Sequence, residues 1–500
     1  MSLLSKEQYE GIADKMTFVT DALINGKLVK SLSGNAAATY NPATGKKLAE
    51  ITSCDASDVD LAVMAARKSF QDKRWAGMAP AQRKEIIFKF CSLILENQNE
   101  LAVLESMDSG KPIRDTALID VIETANCFAW HAEAADKLED QITAAGSDIV
   151  SMVVREPIGV VGAILPWNFP MLMAAWKLGP ILATGNSVVV KPSQLTSLTL
   201  LKMAKLAMEA GIPDGVLNVV PGSGKIVGEA IAKHPDIDLV TFTGSTSVGR
   251  TLLDNSGKSN LKRVLLELGG KNPCVIMPNV TDLDVAAEEA AMAAFWNMGE
   301  NCSANSRLII HRDIKDRFME KFIKKTQEWT VGDPLDPEHR LGAIIEKSHM
   351  ESILQYISIA KREGARLVYG GNRILQETNG YFIEPTIFEN VNSDMTIAKE
   401  EIFGPVVAVM TFEDEEEAIK LANDTNYGLH ASIWSNDVNQ VHRMSRSICA
   451  GTISINCFSE GDMTTPFGGF KQSGFFGRDK SLWANRQYTE LKTIWLKIRS

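Results

Sequence analysis

The chain is poor in the residues that staple or metallate a fold. Cysteine occurs seven times in 500 residues, an odd number without a pairing pattern, which argues against a disulfide framework and for reduced thiols in a cytoplasm. Histidine is as scarce, with seven dispersed copies and no HxH, HExxH or CxxC spacing, so no structural or catalytic metal is expected. Positive charge is in deficit: 52 Lys and Arg against 62 Asp and Glu give a formal net charge of −10, which argues against binding to nucleic acid or to an anionic membrane. A long hydrophobic run is missing as well. The most apolar region, residues 158–190, is interrupted by Pro166, Asn168, Pro170, Lys177, Gly179 and Pro180, and reads as a buried sheet and helix instead of a membrane span. There are no internal repeats or low-complexity tracts. Residues 1–20 mix Lys6, Glu7, Glu10, Asp14 and Lys15 with apolar side chains, which suits a disordered or helical arm and neither a signal nor a transit peptide.

What is present is the balance of a globular protein, 45% hydrophobic and 23% charged. Five hundred residues exceed one ordinary core, so two or three domains are expected. Short β-branched runs at 159–165, 187–191, 216–220, 239–242 and 263–267 alternate with helical stretches at 198–210 and 225–233. That succession predicts right-handed crossovers and a parallel sheet covered on both faces, with ligands beyond the carboxyl ends of the strands. A second alternating region has strand candidates at 308–311, 365–369, 406–411, 430–434 and 452–456. Residues 95–140 read as helical and 141–155 as extended. The tail from Tyr488 to Leu496 alternates apolar and polar side chains like an edge strand in need of a partner.

The segment Phe295-Trp296-Asn297-Met298-Gly299-Glu300-Asn301-Cys302-Ser303-Ala304-Asn305-Ser306-Arg307 places one cysteine where a helix ends and the backbone turns. A lone cysteine is ordinarily a small buried apolar residue, and Cys54, Cys91, Cys127, Cys274, Cys449 and Cys457 are read that way. Upstream, Val264-Leu265-Leu266-Glu267-Leu268-Gly269-Gly270-Lys271 is an apolar strand that ends on a carboxylate and breaks at two glycines. Glu267 alone would be a strand-terminal surface acid, and Asn168 alone a turn residue. No GxGxxG follows a strand. Phe242-Thr243-Gly244-Ser245-Thr246-Ser247-Val248-Gly249 instead runs from a strand through glycine into a helix start, where free N–H groups and the helix dipole can meet a phosphate.

Together with Leu165-Pro166-Trp167-Asn168-Phe169-Pro170 and Glu400-Glu401-Ile402-Phe403-Gly404-Pro405, these segments resemble the aldehyde dehydrogenase superfamily from about residue 25 onward. The resemblance implies an α/β fold with a Rossmann-like NAD(P)-binding domain (1–135 and 156–265), a second α/β catalytic domain (266–480) and a small β oligomerisation element (136–155 and 481–500). It implies a homodimer or homotetramer. It further implies Cys302 as nucleophile, with the Asn168 amide and the Cys302 N–H as an oxyanion hole, and Glu267 as the base that activates water. Lys177 and Asp479 are similar to positions suggested to relay protons, although the 474–479 loop is one residue longer than usual and carries Asp where Glu is commoner. Gly244, Ser245 and Gly249 match the pyrophosphate loop, Gly224 the approach beside the adenosine, and Lys191 the adenosine ribose. Glu401 and Phe403 match the nicotinamide ribose and ring, and Ile164, Trp167 and Leu268 complete the cofactor set. At 194 many NAD-specific relatives carry glutamate; Gln194 leaves NADP possible beside NAD.

For the substrate, Met171, Trp176, Trp296 and Phe458 are placed to line an apolar tunnel, though aromatics at such spacing are more often core. The acids Asp120, Glu123, Glu460 and Asp462 would add negative charge at its mouth and attract a cationic far end; each could equally be a solvated surface charge. The segment 461–482 and the closing residues resemble bacterial dehydrogenases for γ-glutamyl-γ-aminobutyraldehyde and related ω-amino or guanidino aldehydes. The expected reaction is NAD(P)-dependent oxidation of such a small-molecule aldehyde to a carboxylate. The alternatives are a betaine-aldehyde or broad-range aliphatic aldehyde dehydrogenase, a catalytically silent protein of the same shape, and a cysteine hydrolase, which would want a histidine beside the thiol.

Overall fold

The computed structural model describes residues 3–499. Its first large sheet has eight strands in the spatial order Lys27–Val29, Ala22–Ile24, Leu217–Val219, Ser187–Lys191, Val160–Ile164, Leu239–Thr243, Arg263–Glu267 and Gly474–Phe475. The five central strands, from Leu217–Val219 to Arg263–Glu267, run parallel. Four of them are buried along their whole length, and Arg263–Glu267 is buried after Arg263. Burial on both faces is why they read as unbroken Val, Ile and Leu runs instead of alternating ones. Strand order reverses between Val160–Ile164 and Leu239–Thr243. A crevice beyond the carboxyl ends of a parallel sheet is expected at that reversal.

A second sheet of seven strands runs Arg366–Tyr369, Thr386–Glu389, Val406–Phe412, Arg307–His311, Pro273–Ile276, His430–Trp434 and Thr452–Ile455. All pairs are parallel except the first. A third sheet is formed by Gln141–Thr143, Ile149–Pro157 and the tail strand Thr489–Lys497. The tail pairs antiparallel with Ile149–Pro157 along nine residues. These are the Rossmann-like sheet, second α/β sheet and small β element that the resemblance implied.

The amino-terminal arm is helical from Lys6 to Ala13, opened by a capping box at Ser5 and held down by buried Tyr9. Gly474–Phe475 lies within the stretch expected in the second unit, yet it closes the edge of the first sheet beside Leu266 and Glu267. Chain from both units therefore meets where Glu267 ends its strand.

Candidate active site

A cavity of about 220 Å³ lies at this junction. Asn168, Trp167, Trp176, Gly244, Ser245, Glu267, Leu268, Cys302, Glu401 and Phe403, named from separate segments of sequence, all line it.

Cys302 is delivered by a broken helix end. The helix Leu283–Phe295 stops, and Asn297 and Met298 take left-handed φ of 53° and 56°. At Gly299, φ is +69° and a Cβ would stand 2.3 Å from the Gly404 carbonyl, so only glycine fits. The loop is then clamped from behind: the Asn272 amide donates to the carbonyls of Cys302 (2.8 Å) and Ala304 (3.0 Å) and accepts from the His430 N–H (3.0 Å). Gly270 allows this close approach, since a Cβ there would meet the Cys302 carbonyl at 2.3 Å. Buried Arg307 ties the next strand to the carbonyls of Lys271, Leu421 and Ala422.

The Asn168 amide donates to the Glu300 carbonyl at 2.9 Å, which fixes its orientation while its second N–H remains. The Cys302 N–H is not engaged by any acceptor among the described residues. Burial, with Glu460, Glu267 and Glu401 nearby, pushes the Cys302 thiol well above the usual cysteine range.

Glu267 is almost fully buried, and neither of its carboxyl oxygens has a hydrogen-bond partner. Burial first, then the Asp479 carboxylate, pushes it well above the usual glutamate range, against the opposing pull of Lys177. Lys177 and Asp479 form a buried ion pair at 2.7 Å, and Asp479 exchanges backbone hydrogen bonds with Phe467, which lines the cavity. Asp479 therefore lies beside Lys177. Among the described residues no histidine lines the cavity, so the arrangement gives a histidine-assisted cysteine hydrolase no support.

At the other end, Ser245 caps the helix Thr246–Gly257, its hydroxyl accepting from Val248 N–H at 3.4 Å. First-turn amides of such a helix have no intrahelical acceptor and favour a phosphate. Gly249 lets this helix pack on Leu268, 2.8 Å from where a Cβ would sit, while a Cβ at Gly224 would meet nothing. Lys191 is buried, donates to the Pro192 carbonyl at 2.8 Å, and is lowered by burial to about 8. Its Cδ and the Ile164 side chain both face Gly228. Gln194 borders two further cavities away from the thiol, one of them with Pro221 and Gly222. Glu401 accepts from Gly270 N–H at 2.8 Å and is raised to about 7 by burial. Phe403, at φ 58°, packs edge-on against Trp167 with ring centroids 5.2 Å apart. The open Gly224, the capped helix start and the Glu401 carboxylate are features that suit a dinucleotide.

The substrate expectations fare unevenly. Met171 is wholly buried and does not line the cavity; its N–H donates to Glu105, and Leu172, Met173 and Trp176 of the same helix face the opening. Asp120 is also corrected: it is fully buried in an ion pair with Lys111, so it carries no charge to the tunnel mouth. Glu123 is exposed on the following helix and does not line the cavity. Trp296 and Phe458 line an adjoining cavity that shares Glu460 with the first. Asp462 is spent on Thr464, accepting from its N–H and hydroxyl. Residues that sequence reasoning missed include Asn272, Met173 and Lys480, whose ammonium lies 5.1 Å over the Trp176 ring. Met173 was legible one helical turn before Trp176; nothing in the sequence marks the other two.

Comparison with known proteins agrees with this geometry. The model of the aldehyde dehydrogenase family matches residues 28–494. The aminoacetaldehyde dehydrogenase of Pseudomonas aeruginosa is 51% identical, with 99% of each chain covered. Among solved structures, the γ-glutamyl-γ-aminobutyraldehyde dehydrogenase of Burkholderia cenocepacia superimposes with a TM-score of 0.97 at 47% identity, covering 99% of this chain and 100% of that one. A variant of the P. syringae indole-3-acetaldehyde dehydrogenase, solved with NAD+ and IAA, gives 0.98 at 48% identity over 99% and 100% of the two chains. A match that spans nearly the whole sequence, with a cysteine, a carboxylate and an amide gathered at the sheet's reversal point, places the chain in the aldehyde dehydrogenase family.

Proposed function

We propose that this protein oxidises an amino-substituted aldehyde to its carboxylate with NAD(P), through a thiohemiacetal and a thioester on Cys302. The observation that carries the reading is the shared cavity of the Cys302 thiol and the unpartnered Glu267 carboxyl, with Asn168 on the same wall. Cys302 adds to the aldehyde carbon, and Glu267 is the acceptor available for the thiol proton. The second Asn168 amide hydrogen and the Cys302 N–H stabilise the oxygen that becomes negative. Gly244 and Ser245 would hold the pyrophosphate of NAD(P), Lys191, Gln194 and Gly224 its adenosine end, and Glu401 and Phe403 its nicotinamide ribose; the cofactor would supply the hydride acceptor. Glu267 then directs water at the thioester, which releases the carboxylate and returns the thiol. The Lys177–Asp479 pair takes the proton onward from Glu267. Holding the carbon beside thiol and cofactor supplies much of the acceleration.

An amino or amide nitrogen in the substrate is supported by the relatives named for aminoacetaldehyde and for γ-glutamyl-γ-aminobutyraldehyde. We assign 1–135 and 156–265 to the cofactor domain, 266–480 to the catalytic domain, and the tail sheet to the assembly surface of a homodimer or homotetramer, a reading supported by Trp495 at 62% and Ile142 at 81% exposure there. All seven cysteines are free, in keeping with a reducing cytoplasm.

The test is NAD(P)H formation with an amino aldehyde. Cys302→Ala should abolish it while cofactor binding, followed by fluorescence titration, is retained. Steady turnover in that variant would refute the mechanism.

A further inference from the structure

A second cavity of about 490 Å³ opens beside the first, with Glu460 as a common wall. The rings of Phe169, lining one, and Trp296, lining the other, touch with centroids 5.1 Å apart. Trp329 and Phe458 complete an aromatic lining. Two guanidinium groups reach this space, Arg114 from the segment Ile113–Asp115 and Arg340 from the loop bonded to Thr330. Both are half-buried. Arg340 lies 5.6 Å over the Trp329 ring. Among the described residues neither guanidinium takes part in an ion pair or a side-chain hydrogen bond.

The acids of the same cavity are already engaged. Glu288 pairs with Lys325 at 3.0 Å, Glu289 accepts from the Phe458 N–H at 3.0 Å, and Glu460 accepts from the Ser303 hydroxyl. Burial raises Asp115 to about 7, so its negative charge is weakened. The donors left without a partner in this cavity are therefore the two guanidinium groups, and a planar guanidinium fork matches a carboxylate.

We infer that the second cavity is a subsite for the far end of a long substrate and that Arg114 and Arg340 hold a carboxylate there while the aldehyde carbon lies at Cys302. This rests on Cys302 being the reacting centre. It replaces the expected cationic far end and narrows the substrate to an aldehyde whose chain runs past Glu460 and ends in a carboxylate. The free α-carboxylate of a γ-glutamyl group has that chemistry; aminoacetaldehyde is too short to reach and leaves the subsite empty.

Steady-state kinetics of the full-length enzyme would decide it, using three aldehydes of equal chain length that end in carboxylate, carboxamide or ammonium, together with propanal. The carboxylate should be preferred over the carboxamide at least tenfold in kcat/KM. Arg114→Gln and Arg340→Gln, on separate segments, should each raise its KM at least fivefold with little change in kcat. Propanal kinetics should stay within twofold, and Arg340→Lys should restore part of the loss. An unchanged carboxylate KM in both variants, a matching rise for propanal, or a preference for the ammonium substrate would overturn the inference. A wild-type enzyme that oxidises propanal but shows no carboxylate preference overturns only the subsite; one that oxidises none of the four overturns the dehydrogenase reading as well.

Discussion

In the proposed mechanism Cys302 and Glu267 act only when deprotonated, and burial among carboxylates pushes both upward. The direction fixes the pH dependence. A raised pKa moves deprotonation to higher pH, so the reactive fraction of each grows as pH rises. Turnover of an amino aldehyde at saturating cofactor should climb from pH 6 to pH 9; a profile that falls over that interval would show that neither titration limits the rate. The carboxyl oxygens of Glu267 have no protein partner, which leaves them open to a water or a substrate atom. Cys302 and Glu267 were legible in the sequence through the resemblance of their surrounding segments to the aldehyde dehydrogenase superfamily; alone, each had an ordinary reading. Asp120 was not: its partner Lys111 is nine residues earlier in sequence, and the burial of both depends on packing that no local pattern records.

At the scale of elements, the site depends on how the Cys302 loop is fastened. Asn272 holds two of its carbonyls and takes the His430 N–H, so it couples the Gly269-Gly270 turn, the nucleophile loop and a central strand of the second sheet. Asn272→Ala should cost ~2 kcal/mol of stability, since the buried partners lose their hydrogen bonds, and should lower kcat more than it changes KM. Denaturant unfolding followed by kinetics would measure both, and wild-type kcat would refute the positioning role. The parallel strands of the first sheet were legible because burial on both faces writes long β-branched runs. In the second sheet, Pro273–Ile276 and Thr386–Glu389 escaped: each has four residues and a proline at or beside its start, too little for periodicity to separate strand from turn. The tail strand was legible from its alternation, and its partner Ile149–Pro157 from the extended pattern of 141–155.

For the whole molecule, three sheets divide the work. In the proposed mechanism the first would hold the cofactor and the second would back the nucleophile, while the third presents Ile142, Leu491, Trp495 and Leu496 to solvent. Such an exposed apolar surface is what the proposed assembly requires. Trp495→Asp should shift the sedimentation profile toward monomer at micromolar concentration while leaving the far-UV spectrum intact; an unchanged assembly would move the interface elsewhere. Because Gly474–Phe475 of the same chain closes the first sheet beside Glu267, a folded monomer should retain activity.

The central claim is that the carbon being oxidised becomes an acyl group on Cys302 that Glu267 removes. Intact-protein mass measurement of Glu267→Gln, mixed with NAD(P) and an amino aldehyde, addresses it directly. A burst of NAD(P)H close to one per active site should coincide with a mass gain equal to the acyl group, mapped to the peptide that contains Cys302 and slow to disappear. A burst without that adduct, or an adduct on any other residue, would contradict the account.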